Sequence, residues 1–471
     1  MGTLVERSVI KSNQTKVPAM TDSTSSFDFP SVGNKTVTAR FDGGDITSNA
    51  GVLLLSAADE KIGLTSAIAA AIKDTRQASK VSHDLPTLIK ERILAIACGY
   101  EDANDLDGLR SDPALKVGCG RAPRSEADLA SQPTISRLEN SVDKKDLIRM
   151  AIRLAERVVA QLPANTKKVV LDIDEMEDPC HGQQEFEIFN AHYDSHCYLP
   201  LLLFVTDETG RQRMMAVVLR SGKSGCRGVR AVLKRAVRLL RARFPKIYIE
   251  LRADGGYGND QVLRCCDKLD IKHTLGLPGN KRLHRLSIAT QMDVCIKYSQ
   301  TKYQVDRPAC REFGVIDYRA ASWDKSRKVI VKAEITESAF GDVKLNPRFV
   351  VTNCDFANPE AGYAHYCGRG DIENRIKEFN LALAGGRTSC HRFLANQFRV
   401  LMHAGACVLM GVIQEAAKAT NLAKAQVGTL RLRLLKIGAR IIETVRRVWI
   451  HMSSSCPGQE DWDKVYQVLT G

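Results

Sequence analysis

A chain of 471 residues, 44% hydrophobic and 6% aromatic, is long enough for two or three domains with sizeable cores and too apolar to stay disordered. Its 68 Lys+Arg against 54 Asp+Glu leave a formal charge of +14, a balance that favours a polyanionic partner, most commonly nucleic acid. No secretory leader is visible and no apolar run approaches a membrane span. The 14 cysteines contain no Cys-x2-Cys pair, and the local group Cys180, His181, His192, His196 and Cys197 fits no common structural-zinc spacing. A cytoplasmic protein with reduced cysteines and no membrane contact is expected.

In chain order, residues 1–33 are polar and read as a mobile arm. Residues 34–165 read as mostly helical. Residues 35–41 alternate like a strand, and 45–49 are placed to cap a helix over 50–58. Further helices are predicted over 65–72, over 84–98 with Pro86 at its start, and over 143–162 with Leu147, Ala151, Leu154 and Val158 on one face. The stretch Ser131-Gln132-Pro133-Thr134-Ile135-Ser136-Arg137 reads equally as a DNA-contacting turn or an ordinary helix cap.

From Lys167 the pattern changes to strands. A first apolar run, 167–174, ends in Asp172 and Asp174, which share one strand face; both are candidates for the first metal ligand, and Asp174 is preferred because it lies nearer the strand's C-terminal end. Strand, turn and strand follow over 199–219. A helix over 229–244 carries an outward stripe, Arg230, Lys234, Arg238 and Arg241, suited to a DNA backbone or to solvent. A second apolar run, 246–254, ends in Asp254, and a helix over 259–269 and a strand over 273–277 complete the series. Three strands, helix, strand, helix, strand is the order of an RNase H-like (retroviral integrase-like) α/β domain. In that fold the first and fourth strands are neighbours, so Asp174 and Asp254 would meet.

The interval between Asp254 and Glu373 is too long for a direct connection. The core is therefore expected in two parts, 166–280 and 346–400, separated by a mainly β insertion over 281–345 with strands at 302–305 and 328–335. A returning strand over 348–353 precedes the helix that carries Glu373, and an apolar helix over 393–417 braces it. The remainder of 401–471 is read as basic strands, at 430–434 and 445–452. Arg431, Arg433, Arg440, Arg446 and Arg447 make this tail basic, for contact with DNA or a second protomer.

The Glu373 helix has two unlike faces. Tyr366, Arg369, Glu373 and Lys377 fall on one side, and Ile372, Ile376, Phe379 and Leu383 on a neighbouring one. A carboxylate among cations and a phenol, added to two acidic strand ends, is the oxygen-ligand set a pair of Mg²⁺ ions needs. Such a pair clamps the attacking and leaving oxygens of a phosphodiester. Two phosphate-loop look-alikes fail. Gly222-Lys223-Ser224 has Val217 where a nucleotide loop needs glycine, and Gly255-Gly256-Tyr257-Gly258 lacks dinucleotide spacing and instead supplies a tight turn that exposes Asp254.

At these residues the chain resembles the DDE transposases of bacterial insertion sequences. Asp174, Asp254 and Glu373 look like the triad, and Tyr366, Arg369 and Glu373 resemble the Tyr-x2-Arg-x3-Glu-x6-Lys signature of one branch. His181-Gly182-Gln183-Gln184-Glu185, Arg252-Ala253-Asp254-Gly255-Gly256-Tyr257 and Leu430-Arg431-Leu432-Arg433-Leu434 resemble its insertion-sequence 1380 type. The likeness runs from about Phe41 to about Pro457. It departs from the family at Asn380, where the signature has Lys, and at Met176, where the family often has Thr; Lys377 stands one turn earlier on the same face.

The resemblance implies Asp174, Asp254 and Glu373 as catalytic metal ligands for two Mg²⁺ ions, with Mn²⁺ able to substitute. It implies DNA contacts by Tyr366, Arg369, Arg252 and either Lys377 or Asn380, to which the helical stripe of Arg230, Lys234 and Arg238 adds candidates read from spacing. It implies double-stranded DNA, as terminal inverted repeats and target, for a partner, a homodimer pairing two ends, and a site of action on the bacterial nucleoid. A structure-specific nuclease of the same fold and a non-catalytic DNA-binding derivative are the alternatives.

Overall fold

The two acidic runs are neighbouring parallel strands. In this computed structural model, which describes residues 25–301, 310–337 and 342–471, Lys168–Glu175 and Tyr248–Ala253 pair from Lys168 opposite Tyr248 to Ile173 opposite Ala253. Lys272–Leu277 extends the parallel set beyond Tyr248–Ala253. Leu201–Asp207 and Gln212–Val218 add antiparallel strands on the other side. Parallel neighbours need long crossovers, and the helices Val229–Arg243 and Asp260–Leu269 lie on the connections. The strands are apolar runs because both faces are covered: Leu201 to Val205 are all buried.

Residues 281–345 do not form a separate β unit. They begin with two helices, Lys281–Leu286 and Ile288–Thr301. The strands Arg311–Tyr318 and Arg327–Glu337 then continue the main sheet, joined to Lys272–Leu277 through Arg348–Thr352. An edge left bare at Lys272–Leu277 would expose unpaired backbone groups. Arg348–Thr352 pairs with that edge and buries Phe349, Val350 and Val351. The strand expected at 302–305 lies outside the described residues.

Much of the N-terminal region is helical, and its caps are those the residues dictate. Asp84 accepts the Thr87 amide at 2.8 Å with Pro86 in the first turn of Leu85–Ala97, and Asp143 accepts the Asp146 amide at the start of Lys144–Ala160. Residues 131–137 are the opening of a helix, Gln132–Ser141, with Ser131 at its N-cap. Two expectations are corrected. Within the arm expected over 1–33, Phe27–Val32 is a strand paired with Lys35–Ala39; residues 1–24 lie outside the described ones. The expected cap over 45–49 instead contributes a strand, Ile46–Thr47, which pairs with Ala439–Glu443.

The helix Phe393–Ala416 runs through the centre of the core. The stretch Phe393–Ala419 is long and apolar enough to cross a membrane, which inspection of the sequence did not reveal, yet 78% of its most apolar window is buried inside the protein. Residues 430–434 were expected as a strand and are helical: Leu430 and Leu434 are buried while Leu432 between them is exposed, and a strand would put all three on one face. A final helix, Gln459–Thr470, was not anticipated. No disulfide forms among the described residues.

Candidate active site

The strand pairing decides which aspartate stands where. Asp172 lies opposite Arg252 in the register. It is fully buried and holds Arg252 through two hydrogen bonds, Nε to Oδ1 at 2.6 Å and Nη2 to Oδ2 at 3.0 Å. One position beyond the paired ends, Asp174 and Asp254 are left at the open rim. Asp254 opens a one-turn 3-10 helix, its Oδ1 accepting the Gly256 amide at 3.0 Å. Burial pushes the Asp174 carboxyl up to about 6; the Glu175 amide opposes the shift, the nearby Asp254 charge adds to it, and Arg369 opposes it.

Arg252 was expected on DNA and is not available to it. It is 7% exposed, and its guanidinium is taken up by Asp172 and by the His365 carbonyl, to which Nη1 donates at 2.9 Å. That last bond shapes the helix above. A single helix was expected from Tyr366 onward. Instead Pro359–Cys367 and Gly370–Lys377 are separate helices. The His365 carbonyl is occupied by Arg252, and the Arg369 amide bonds one residue short, to Tyr366 at 3.0 Å. A side chain inserted into the helical ladder is a known cause of a kink. Gly368 permits it, since a Cβ there would lie 2.6 Å from the Arg252 guanidinium.

The same helix is docked from below by a second buried acid. Glu250, 1% exposed, accepts from Thr274 Oγ1 at 2.7 Å and meets His365 Nε2 at 2.8 Å. Two buried carboxylates, Asp172 and Glu250, thus fix the helix on the sheet, and Ile372 buries beside them in the core. Neither role was assigned from the sequence; the alternation of acids with apolar residues along both strands was the signal available.

With the helix so placed, Arg369 reaches down to the rim. Its Nη1 donates to Asp174 Oδ2 at 3.2 Å and its Nη2 to Glu373 Oε1 at 3.1 Å. Arg369 therefore links Glu373 to Asp174, while Asp254 stands at the end of the strand neighbouring Asp174. The Tyr366 hydroxyl packs into the Asp254 turn, where a Cβ on Gly276 would lie 2.6 Å from it and 2.8 Å from the Gly255 amide. Behind Asp174, Glu175 is held by Arg220, buried, at 2.6 Å. Lys377 is exposed, and Asn380 lies in the wider helical turn Glu378–Ala382. Among the described residues neither bonds to the three carboxylates. Arg230, Lys234 and Arg238 are exposed on Val229–Arg243. The first two face Arg264 and Lys268 across a cavity of about 330 Å³.

The donor set suits a hard divalent cation, because Asp174 and Asp254 offer carboxylate oxygens whose mutual repulsion a cation would relieve. Among the described residues no three His, Cys, Asp or Glu stand close enough to hold a metal together. Arg369 supplies positive charge between Asp174 and Glu373 instead.

A family model described as transposase DDE domain group 1 matches residues 29–470. Among solved structures the chain is similar to a piggyBac transposase, in a cryo-EM structure of its synaptic complex with hairpin DNA. The identity is 13% and the TM-score 0.40, over 82% of this chain and 79% of that one. No curated protein matches.

Proposed function

This chain belongs to the transposase DDE domain group 1 family, and on that premise we propose that it is the transposase of a bacterial insertion sequence. On this reading it is of the Tyr-Arg-Glu-Lys branch and the insertion-sequence 1380 type, with an RNase H-like core. It cuts the element from its flanks by hydrolysing phosphodiesters and joins the 3′-hydroxyl ends to target DNA. The observation that carries the reading is the placement of Asp174 and Asp254 at neighbouring parallel strand ends, with Glu373 tethered above them through Arg369.

Asp174 and Asp254 would hold divalent cations, Mg²⁺ being the expected one, and Glu373 would complete the set once Arg369 lets go. When bound, such ions supply activation of a water or a DNA 3′-hydroxyl and stabilisation of the leaving oxygen. The chain's own residues do the rest. Arg369, half-buried at the bend between the two helices, moves its planar fork from the carboxylates to a phosphate of the cut strand, which it can grip through two oxygens. Tyr366, wedged at Gly276, keeps the Asp254 turn from shifting as DNA enters. Asp172 and Arg252 hold the strand ends in register.

In the proposed layout the region 34–165 binds the element's ends, 166–280 and 346–400 form the core around the insertion 281–345, and 401–471 closes the molecule. A homodimer pairing two ends acts on the bacterial nucleoid. The test uses DNA carrying the gene with its native flanks, incubated with the protein and Mg²⁺. Excised element and strand-joined product are expected. Cutting without any joining would instead mark a nuclease.

A further inference from the structure

The C-terminal hairpin, Ala439–Glu443 and Val448–Met452, forms a small three-stranded sheet with Ile46–Thr47. Its inner side is packed: Ala439 and Ile441 are buried, and Ile450 and Met452 pack beside Ala50 and Ile437. Among the described residues nothing covers its outer side, where Arg440, Ile442 and Trp449 are exposed. Arg440 faces His451 and Ile442 faces Trp449 across the pair. At the tip Val445 is fully exposed, and Trp449 is 48% exposed.

The charges on this side are of one sign. Arg440, Arg446 and Arg447 have no carboxylate partner among the described residues. Arg447 lies over the Trp449 ring, 5.7 Å from its centroid. The hairpin's one acid, Glu443, is turned aside: its carboxylate accepts the Arg124 amide at 2.7 Å and the Ser125 amide at 3.2 Å. The turn is also locked. Thr444 Oγ1 donates to the Arg447 carbonyl at 2.9 Å and accepts the Arg447 amide at 3.1 Å.

A rigid, two-stranded ribbon with free arginines and exposed apolar side chains at its tip is poorly suited to water and well suited to duplex DNA. Arginine forks pair with phosphate oxygens, and apolar tips rest against sugars or wedge between base steps. Because the turn is fixed beforehand, little ordering cost attends binding. A second copy of the same face is disfavoured, because a symmetric contact would set like charges against one another. We propose that this hairpin is a DNA-contacting element in which Arg440, Arg446 and Arg447 take backbone phosphates and Val445 and Trp449 press on the groove between them. The proposal rests on the transposase reading and names a contact distinct from the carboxylate site.

The test measures binding of the full chain to duplex DNA bearing the gene's terminal sequences, by fluorescence anisotropy across a salt series. Wild type is compared with the Arg440→Ala/Arg446→Ala/Arg447→Ala triple variant and with Arg446→Glu, a change confined to the exposed turn. The triple variant should bind at least tenfold more weakly. Its slope of log affinity against log salt should be shallower by roughly 0.9 for each phosphate contact removed. Arg446→Glu should weaken binding in the same direction with an unchanged melting temperature. Wild-type affinity and slope in both variants would overturn the proposal. So would a lower molar mass by light scattering with unchanged DNA affinity, which would make the hairpin a protein interface. Failure of the wild type to bind any DNA would overturn the transposase reading along with it.

Discussion

Asp172 and Asp174 share one face of one strand, yet Arg252 reaches only the first. The pairing register puts Arg252 beside Asp172 and leaves Asp174 with Asp254 at the rim. The two carboxylates should respond oppositely to substitution. Arg252→Ala strands a fully buried charge and is expected to lower unfolding free energy by roughly 3–5 kcal/mol in urea denaturation. Asp174→Asn relieves crowding and should not lower it; equal losses would undo the distinction. A third aspartate gives a pH signature. Asp178 is fully buried, and burial pushes its carboxyl up to about 8, with only the Thr388 hydroxyl, 2.9 and 3.0 Å from its two oxygens, pulling the other way. A folded value raised above the unfolded one means the folded chain holds an extra proton between the two. The stability this contributes is complete below about pH 4 and is lost as pH rises toward 8. Asp178→Asn should therefore remove a slope of about 1.4 kcal/mol per pH unit across that window, seen by comparing denaturation at acidic and mildly alkaline pH.

At the scale of elements, the bent helix over residues 359–377 is where sequence and structure part. Amphipathic spacing correctly set Ile372 and Phe379 inward and Glu373 outward, because periodicity follows from helix geometry alone. The kink was not legible, since it depends on a guanidinium from a strand more than a hundred residues away in sequence. That the two acidic strands are neighbours was legible from the order of elements; their parallel register came from the structure. The roles of Glu250 and His365 were not, because a buried acid looks like a surface one until its partner is known. Residues 430–434 misled for a related reason: alternating Leu and Arg mimics a strand, while Leu430 and Leu434 are buried and Leu432 between them is not. The helix and the Asp254 turn touch at Gly276, so Gly276→Ala tests their coupling. Its Cβ would enter space held by Tyr366 and Gly255. A destabilisation of roughly 1–3 kcal/mol is expected from overpacking, together with a fall in DNA cleavage larger than the stability loss explains. Full cleavage in a destabilised variant would show that the turn's position does not matter.

Across the whole molecule, the core helix Phe393–Ala416 joins the N-terminal helices to the sheet, packing on Leu85–Ala97 and on Gln212–Val218. This packing accounts for the fold, and on the proposed reading a metal ion binds only at the rim. Chelation should leave the melting temperature unchanged, whereas millimolar Mg²⁺ or Mn²⁺ should raise it by mass action in the wild type and not in Asp254→Ala. A fall on chelation would mean that a metal supports the fold itself.

The central claim, that the carboxylates at these strand ends cut DNA, is tested most directly by assaying Asp254→Ala for binding and cleavage on the same end-bearing DNA with Mg²⁺. The account predicts binding within about twofold of wild type and cleavage lower by roughly a thousandfold or more, a barrier increase of about 4 kcal/mol. Cleavage at the wild-type rate, or binding lost in the same proportion as cleavage, would contradict it.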